Sequence, residues 1–469
     1  MTTSRRWWTF IIVSLALFMS MLDNLVVTTA LPAIQHSLHS SLSDLEWVID
    51  AYTLTFTILM IPTAAIGDKV GHRLILLTGV FLFTLGSVSA ALSSTALQLV
   101  VARALQGAGG ACITPLTLTL LVRAFPAHQR ATVIGFWSGV SGLGLASGPL
   151  IGGALVNAWN WNAVFWVNLP VGIVVFVLGW LQLQESHSQP HSLDLLGSVF
   201  LGGGLLGIVF ALIRGSSFGW VSLPVLGACA ISIILLTVFF LRERSIPEPM
   251  MDLALFRNRR FSLANGVGFL MSFGMFGSIF LLTQFLQNIL GASPLSAGLE
   301  TTAWTGAIMF AAPLAGVLTK WFGTRVLILG GMSIQTLVLC WIGLQAQAHV
   351  SYLHLFPAFL LGGTGMGMMF SPLSTTIIDA VAVRQQGQAS SIYNTVRELG
   401  GVFGIAILGA IFQWTAPTPA LFLQGFRLTL YVGAGVLALG TVLASLFPRQ
   451  VTISQQLSPF EHPLEEVHV

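Results

Sequence analysis

The sequence predicts an all-α protein that crosses a membrane fourteen times, with its helices arranged as six, two and six. Of the 469 residues, 55% are hydrophobic and 7% are charged, whereas about a quarter of the residues in ordinary soluble domains are charged. A transmembrane helix needs about 20 mostly apolar residues, and the apolar runs of this chain have that length. We therefore expect neither a sizeable soluble domain, nor an enzyme, nor a nucleic-acid-binding protein.

The predicted spans fall into three groups. The first six lie near 9–31, 47–66, 74–92, 97–121, 132–156 and 163–182, followed by two near 195–213 and 221–240. The last six lie near 261–286, 297–318, 326–345, 353–378, 389–413 and 425–447. The predicted organisation is a six-helix bundle (1–186), two inserted helices with a basic connector (187–258), a second six-helix bundle (259–448) and a cytoplasmic tail (449–469).

The basic residues support this count independently, because lysines and arginines in short loops concentrate on the cytoplasmic side. With both termini in the cytoplasm, the outer loops hold only Arg214 and Arg427, and the inner segments hold most of the 19 basic residues. Removing the pair at 195–240 would leave this asymmetry unchanged, so twelve spans plus a peripheral hairpin is an alternative. A chain of this size without large loops suits a bacterial plasma membrane. We call its two sides the predicted inner end and the predicted outer end.

An internal repeat relates the two six-helix blocks, as in transporters built from duplicated halves. The segments GDKVGHRLILLTG (67–79) and TKWFGTRVLILGG (319–331) both follow the second helix of a block. Their alignment pairs Gly71 with Gly323 and Arg73 with Arg325. GACITPL and GMMFSPL, in the fourth helix of each block, align in the same way.

Two charged residues fall inside the first block's apolar spans. Asp23 lies roughly 12 Å below the predicted outer end of the first helix, and Arg103 lies on the order of 9 Å deep in the fourth, so the two can share a level. A lone buried carboxylate takes up a proton, whereas a guanidinium beside it favours the ionised form. The pair therefore predicts a switchable proton site. The alternative is a structural ion pair, which we disfavour because each charge costs about 2.5 to 3.5 kcal/mol to insert.

Two further segments are candidates for a conformational role. In the loop GDKVGHR, Asp68 ends a helix and can accept hydrogen bonds from a neighbouring helix N-terminus and from arginines, forming a latch at the predicted inner end. The alternative is a solvated charged turn. The fifth helix combines many glycines with Pro149, which allows close helix approach and a bend and so favours a gating role. Ordinary tight packing is the alternative there.

The penultimate helix carries Arg397 and Glu398 within an apolar run. Adjacent residues point about 100° apart on a helix, so we expect the two not to face each other and at least one to face another helix or a wet cavity. Asp50, nearer a span end, has a functional or an interfacial role. The three tryptophans of WNWNAVFWVNLP (159, 161 and 166) are interpreted as an interfacial aromatic belt. The histidines form no metal-binding set.

These segments together resemble the major facilitator superfamily, and within it the fourteen-helix drug:proton antiporters. LDNLVVTTALP is similar to the subfamily's first-helix motif, GDKVGHR to the superfamily's loop signature, and LVVARALQGAGGA, GPLIGG and NTVRELGG to motifs of the fourth, fifth and late helices. The resemblance implies a major facilitator fold with two pseudo-symmetric halves. The residues that it carries over are Asp23, Asp68, Gly71, Arg73, Arg103, Gln106, Gly107, Gly109, Gly148, Pro149, Gly152, Gly153, Arg397 and Glu398.

The function expected from this reading is proton-coupled export of hydrophobic or cationic small molecules by alternating access. Asp23 would carry the proton and Arg103 would tune it. We expect Gln106, Gln284 and Gln287 to line the substrate cavity, no cofactor besides the proton gradient, and a functional monomer in the lipid bilayer. Two alternatives remain open: a transporter of the same fold dedicated to one native metabolite, and a membrane receptor or scaffold that does not transport.

Overall fold

The computed structural model describes residues 3–186, 194–246, 249, 251–382, 385–416 and 418–448. Every regular element in these ranges is a helix. The predicted tail (449–469) and the linker residues 187–193 lie outside the described residues.

The helices follow the predicted order of six, two and six. The first block contains α1 (Thr3–Leu38), α2 (Leu42–Val70), α3 (His72–Ala91), α4 (Ala96–Ala124), α5 (Ala127–Ala158) and α6 (Ala163–Gln182). Helices α7 (Leu195–Phe218) and α8 (Leu223–Ser245) come next. The second block contains α9 (Arg259–Gln284), which continues as a π-helical turn (Phe285–Ile289), α10 (Pro294–Thr319), α11 (Trp321–Gln345), α12 (Tyr352–Asp379), α13 (Gln386–Thr415) and α14 (Phe422–Ser445).

The predicted number of spans is confirmed. In the described part of the chain, thirteen helices are long and apolar enough to cross a membrane, and α2 is the fourteenth when it is counted across a bend of 48° between Met60 and Pro62. A proline inside a helix removes one backbone hydrogen bond and crowds the preceding turn, which accounts for the bend. The protein is therefore a multi-pass membrane protein.

Most helices extend beyond their apolar runs. Helix α1 ends at Leu38 rather than near residue 31, and α2 begins at Leu42 rather than near 47. A capping box begins α2, in which the Ser41 hydroxyl accepts a hydrogen bond from Asp44 N–H and the Asp44 carboxylate accepts one from Ser41 N–H. Such caps satisfy the free N–H groups of a first turn. Hydropathy does not record them, which is why it underestimates helix length.

The backbone at two glycines supports the internal repeat. Gly71 has a φ of 130° and Gly323 a φ of 77°, a region that favours glycine because it has no Cβ. Each of them lies where the chain turns sharply from the second helix of a block to the third. The alignment of Gly71 with Gly323 is thus matched in three dimensions.

The two inserted helices pack against each other at the periphery, and α7 contacts both blocks. Helix α7 packs against α2 and α13, whereas only 17% of the most apolar part of α8 is buried. At one end, Arg214 donates to Asp44 at 2.8 Å. At the other end, Arg242 bonds to both oxygens of Asp194, and Gly197 N–H donates to the same carboxylate. Burial raises the pKa of Asp194, but these hydrogen bonds outweigh it and hold the pKa below its ordinary value.

The two blocks contact each other at the predicted outer end. Buried apolar residues from the outer parts of α1 and α2, such as Val26 and Ile49, belong to one cluster with the second block. Those from the inner part of α1, such as Ile12, form a separate cluster with α3, α4 and α6. Hydrogen bonds cross between the blocks where Gln287 donates to Thr29 O at 2.9 Å and Thr305 donates to Ala146 O at 3.0 Å.

Candidate functional site

Asp23 and Arg103 meet as predicted, in the interior of the first block. Arg103 Nη1 donates to Asp23 Oδ2, and both side chains are almost completely buried, at 1% and 0% exposure. Buried charges of this kind require a partner, because isolation in a low-dielectric interior costs several kcal/mol per ion. The ion pair links α1 to α4.

Two amides complete the shell around the Asp23 carboxylate. Gln106 Nε2 donates to Asp23 Oδ1 at 3.1 Å, and Asn168 Nδ2 donates to the same oxygen at 3.0 Å. Both amides also donate to Ser87 Oγ. The carboxylate thus accepts hydrogen bonds from three side chains on two helices besides its own, α4 and α6.

Arg103 is held by contacts independent of Asp23. Its Nε donates to the carbonyl oxygen of Val48 at 3.1 Å, and its Nη1 donates to Gln106 Oε1 at 3.0 Å. The guanidinium carbon lies 4.2 Å from the centre of the Tyr52 ring, within the range of a cation–π contact. Because Val48 and Tyr52 belong to α2, the arginine connects the proton-site candidate to the helix that contacts the second block.

Three members of this network were missed by the sequence analysis: Ser87, Tyr52 and Asn168. Asn168 lies in the segment interpreted as an aromatic belt, and Trp161 in that segment is buried at 5% exposure, so its interpretation as an interfacial anchor is wrong. An asparagine inside an apolar span is a signal that could have identified Asn168, because uncharged polar groups there need partners too. Nothing in the sequence indicates that its amide points at Asp23.

The glycine-rich motif of α5 presents two faces. Gly148 and Gly152 lie against α1, where an added Cβ on Gly148 would be 3.0 Å from Leu25 Cβ. Gly153 and Pro149 face the second block, with Gly153 against the carbonyl of Pro294 and Pro149 O against Gly298. One helix therefore packs on the helix that carries Asp23 and also forms the contact between the blocks.

The predicted latch in the loop at 68–73 is built differently from the expectation. Asp68 pairs with His72 Nε2 at 2.9 Å rather than with an arginine. The first turn of α3 is capped by Glu185, whose two carboxylate oxygens accept from Arg73 N–H at 2.9 Å and Leu74 N–H at 3.1 Å. Glu185 and not Asp68 caps α3 here because the chain after α6 returns to this loop, which the local sequence does not reveal.

We predict that Glu185→Ala destabilises the first block, because it removes an anion and two hydrogen bonds from the N-terminus of α3. A cap is worth about 0.5 to 2 kcal/mol. The change should lower the midpoint of thermal unfolding in detergent. Asp252→Ala, at the cap of a short 3-10 helix in the connector, is the control and should change the midpoint less; equal shifts would contradict the assignment.

Arg397 and Glu398 bond to each other, contrary to the expectation from helix geometry. Arg397 Nη2 donates to Glu398 Oε1 at 2.6 Å. The Cα–Cβ directions diverge, but the long arginine side chain bends back across the helix surface. Arg397 also lies over the ring of Phe370 on α12, at 5.5 Å, so the expectation that one of the pair faces another helix is confirmed.

The three predicted cavity glutamines lie in different surroundings. Gln106 has no exposed surface and belongs to the Asp23 network. Gln284 is buried on α9 and accepts a hydrogen bond from Asn288. Gln287 is partly buried and bonds to α1 across the two blocks. Their role in substrate binding stays a prediction.

Within the described ranges, no group of three metal-ligating side chains is close enough to hold a metal ion.

Relatives of this chain include resistance proteins from bacteria. It is 34% identical over 410 residues to the tetracenomycin C resistance and export protein of Streptomyces glaucescens, covering 87% of this chain and 76% of the relative. It is 33% identical over 404 residues to the methylenomycin A resistance protein of Streptomyces coelicolor, covering 85% and 84%. The riboflavin transporter RibZ of Clostridioides difficile is 29% identical over 456 residues, covering 95% and 98%.

The fold and the family agree. A bacterial homologue of the human lysosomal transporter Spinster, solved in an inward-facing and unoccupied conformation, superposes with a TM-score of 0.67 at 16% identity over 95% of this chain and 97% of that one. The family profile described as Major Facilitator Superfamily matches residues 13–194 and 264–467. The chain belongs to the major facilitator superfamily, whose members are membrane transporters and not enzymes.

Proposed function

We propose that this transporter exports hydrophobic or cationic small molecules in exchange for protons. The observation that carries the proposal is the Asp23 carboxylate, which is fully buried and surrounded by donors from α4 and α6. Charge at this depth is expensive to insert, and small residues could supply packing alone at lower cost. A carboxylate that is retained there is best explained by reversible proton binding.

Proton binding at Asp23 would be linked to a movement of helices. All three neighbouring side chains donate to Asp23, so a proton on either oxygen would compete with one of these hydrogen bonds. Protonation also removes the charge that holds Arg103. The protonated state therefore favours an arrangement in which α1 and α4 are shifted relative to each other. Because the proton then binds one conformation more tightly than the other, its binding changes the populations of the two conformations.

Alternating access is supported by the contacts between the blocks. They meet at the predicted outer end, through α5 with α10, α2 with α13, and α1 with the turn after α9. With the termini in the cytoplasm of a bacterial plasma membrane, this arrangement would face inward. The small residues of α5 would allow the blocks to rock about the site as a monomer in the bilayer.

The resistance relatives support small-molecule substrates, and the energy source would be the proton gradient. A membrane potential of 100 mV supplies about 2.3 kcal/mol for each charge moved. One proton per cycle would thus drive useful export without any cofactor. The tetracenomycin C resistance and export protein is the relative on which the export direction rests.

The test is export of a fluorescent lipophilic cation from proteoliposomes under an imposed pH gradient. Asp23→Asn keeps the shape of the side chain and removes its proton-binding capacity. We expect gradient-driven export to be lost, while binding of the fluorescent cation, measured by polarisation in detergent, is retained. The loss arises because asparagine remains neutral in both halves of the cycle.

Asp379→Asn is the matched control for this test, since Asp379 is an exposed acid at the end of α12. It should export as the wild type does. Export by Asp23→Asn at the wild-type rate would reduce Asp23 to helix packing and would contradict the proposal. Binding of the cation without flux by the wild type would favour the receptor alternative.

A second candidate function is transport of one native metabolite, which the similarity to RibZ favours because that match covers almost the whole of both chains. The same proton site would serve either function. A panel of unrelated fluorescent cations separates the two: a multidrug exporter moves several of them, whereas a dedicated transporter moves none and binds a single metabolite such as a flavin.

A further inference from the structure

A second pair of buried acids lies on α2, outside the Asp23 network. Glu46 and Asp50 are one helical turn apart, and both have 0% exposure. Within the described residues, neither oxygen of Asp50 and only one oxygen of Glu46 has a hydrogen-bond partner. Buried polar atoms are nearly always paired in folded proteins, so three unpaired carboxyl oxygens in one turn require an explanation.

These acids lie in the seam between the two blocks. Gln413 Nε2 on α13 donates to Glu46 Oε1 at 2.8 Å, and Ser43 on α2 donates to Gln413 Oε1 at 3.0 Å. Gly409, one turn before Gln413, leaves room for the Glu46 carboxyl, because a Cβ at that position would overlap it. The carboxyl of Glu46 is therefore enclosed by the opposite block when the predicted outer end is closed.

The cations near α2 are already engaged. Helix α2 packs against α1, α3, α4, α7 and α13. The charged groups of these helices that lie near α2 form ion pairs that do not include Glu46 or Asp50. These pairs are Asp23 with Arg103, Arg214 with Asp44, and Arg397 with Glu398. His72 and Arg73 of α3 lie at the opposite end of the bundle, where they bond to Asp68 and Trp180. Within the described residues, the closed seam thus gives these two acids one hydrogen bond, from the neutral amide of Gln413, while the nearby Arg214 is paired with Asp44.

A buried carboxyl group without a cation is far more stable as the neutral acid than as the anion. Two carboxylates one turn apart also repel each other. We propose that Glu46 and Asp50 form a second proton-binding site, separate from Asp23, whose deprotonation opens the seam between α2 and α13. The ligand is the proton: Glu46–COOH is retained while the seam is closed, and loss of H⁺ leaves an anion that requires water.

This inference deepens the proposed function and rests on it in one respect, namely alternating access between two blocks. It assigns the second site to the outer seam, whereas Asp23 remains the site within the first block. Proton release from Glu46 would occur towards the predicted outer end, where Asp44 and Arg214 lie partly exposed at the rim. The two sites can therefore be tested separately.

The experiment measures the width of the outer seam as a function of pH. Cysteines replace the exposed residues Ser37 and Thr418, one in each block, in a protein whose native Cys112, Cys229 and Cys340 are replaced by alanine. Nitroxide labels are attached, and pulsed electron–electron distances are recorded in nanodiscs at pH values from about 5 to about 9. No pH gradient is imposed.

We expect the longer distance to gain at least about tenfold in population relative to the shorter one as the pH rises, because each pH unit changes the ratio of anion to acid tenfold. Glu46→Gln, which mimics the neutral acid, should remain closed across the range. Asp379→Asn, at an exposed acid at the end of α12, should respond as the wild type does. Asp23→Asn should also keep the pH response, while it loses gradient-driven export.

A pH response of Glu46→Gln equal to that of the wild type would overturn the inference, and so would a wild-type distance that does not depend on pH. If Glu46→Gln does not fold, Asp50→Asn is measured in its place, and an unchanged response there has the same meaning. A failure of the proposed function would be seen in a different assay. It would appear as gradient-driven export by Asp23→Asn in proteoliposomes, whereas the distance measurement does not record export.

Discussion

Arg103→Leu is expected to destabilise the protein by about 3 to 5 kcal/mol, the usual consequence of removing one partner from a buried ion pair. The variant leaves the Asp23 carboxylate buried without its cation and the Val48 carbonyl without its donor. Asp23 would then hold its proton throughout the cycle. Gradient-driven export in proteoliposomes should fall to the level of empty vesicles.

A double variant separates the loss of stability from the loss of transport. Asp23→Asn combined with Arg103→Leu removes both charges, so most of the stability should return, whereas export should not. Unfolding in urea or sodium dodecyl sulfate gives the stability, and the efflux assay gives the transport. The Arg103→Lys variant keeps the charge but not the planar fork that donates to Asp23, Gln106 and Val48 at once, so we expect an intermediate loss.

A wild-type stability for Arg103→Leu would contradict this account of the ion pair. So would equal instability of the double and single variants, because it would show that the cost arises from lost packing against Tyr52 rather than from the unpaired carboxylate. Lost packing is a real contribution of arginine side chains, which is why the double variant is required.

Gly153→Leu is expected to prevent closure of the predicted outer end. A side chain at this position would overlap the carbonyl of Pro294 in the opposite block. The backbone at Pro294 cannot move aside as a flexible side chain can, so the two blocks would have to separate. A cost of about 1.4 kcal/mol already changes a two-state equilibrium tenfold. Export should therefore fall at least about tenfold, and the distance between labels at 37 and 418 should shift to longer values.

Two other glycines of α5 are the controls. Gly139 has no neighbouring atom within 4 Å of an added Cβ, so Gly139→Leu should leave both export and distance close to the wild type. Gly148 faces α1 within the same block, so Gly148→Leu should lower stability without opening the seam. If the predicted outer end of the Gly153→Leu variant closed as it does in the wild type, the contact of α5 with α10 would not be the outer gate.

The class of protein and the order of its helices could be predicted from the sequence because they depend on local composition. Hydrocarbon excludes unpaired backbone groups, so apolar runs of membrane length become helices wherever the chain folds. The same cost of burial identified Asp23 and Arg103, since charged residues are rare in such runs. The repeat between 67–79 and 319–331 predicted where two glycines with positive φ occur.

Tertiary structure alone decided the pairings other than that of Asp23 with Arg103. Glu185 caps α3 in place of Asp68, Asn168 completes the shell of Asp23, and Gln413 encloses Glu46 from the other block. Each of these contacts joins residues more than 100 positions apart. Hydropathy and helical periodicity describe only neighbours within a few turns. The sequence by itself therefore determined which segments cross the membrane and that Asp23 and Arg103 lie within them, and the packing of the helices decided most of the partners of the buried groups.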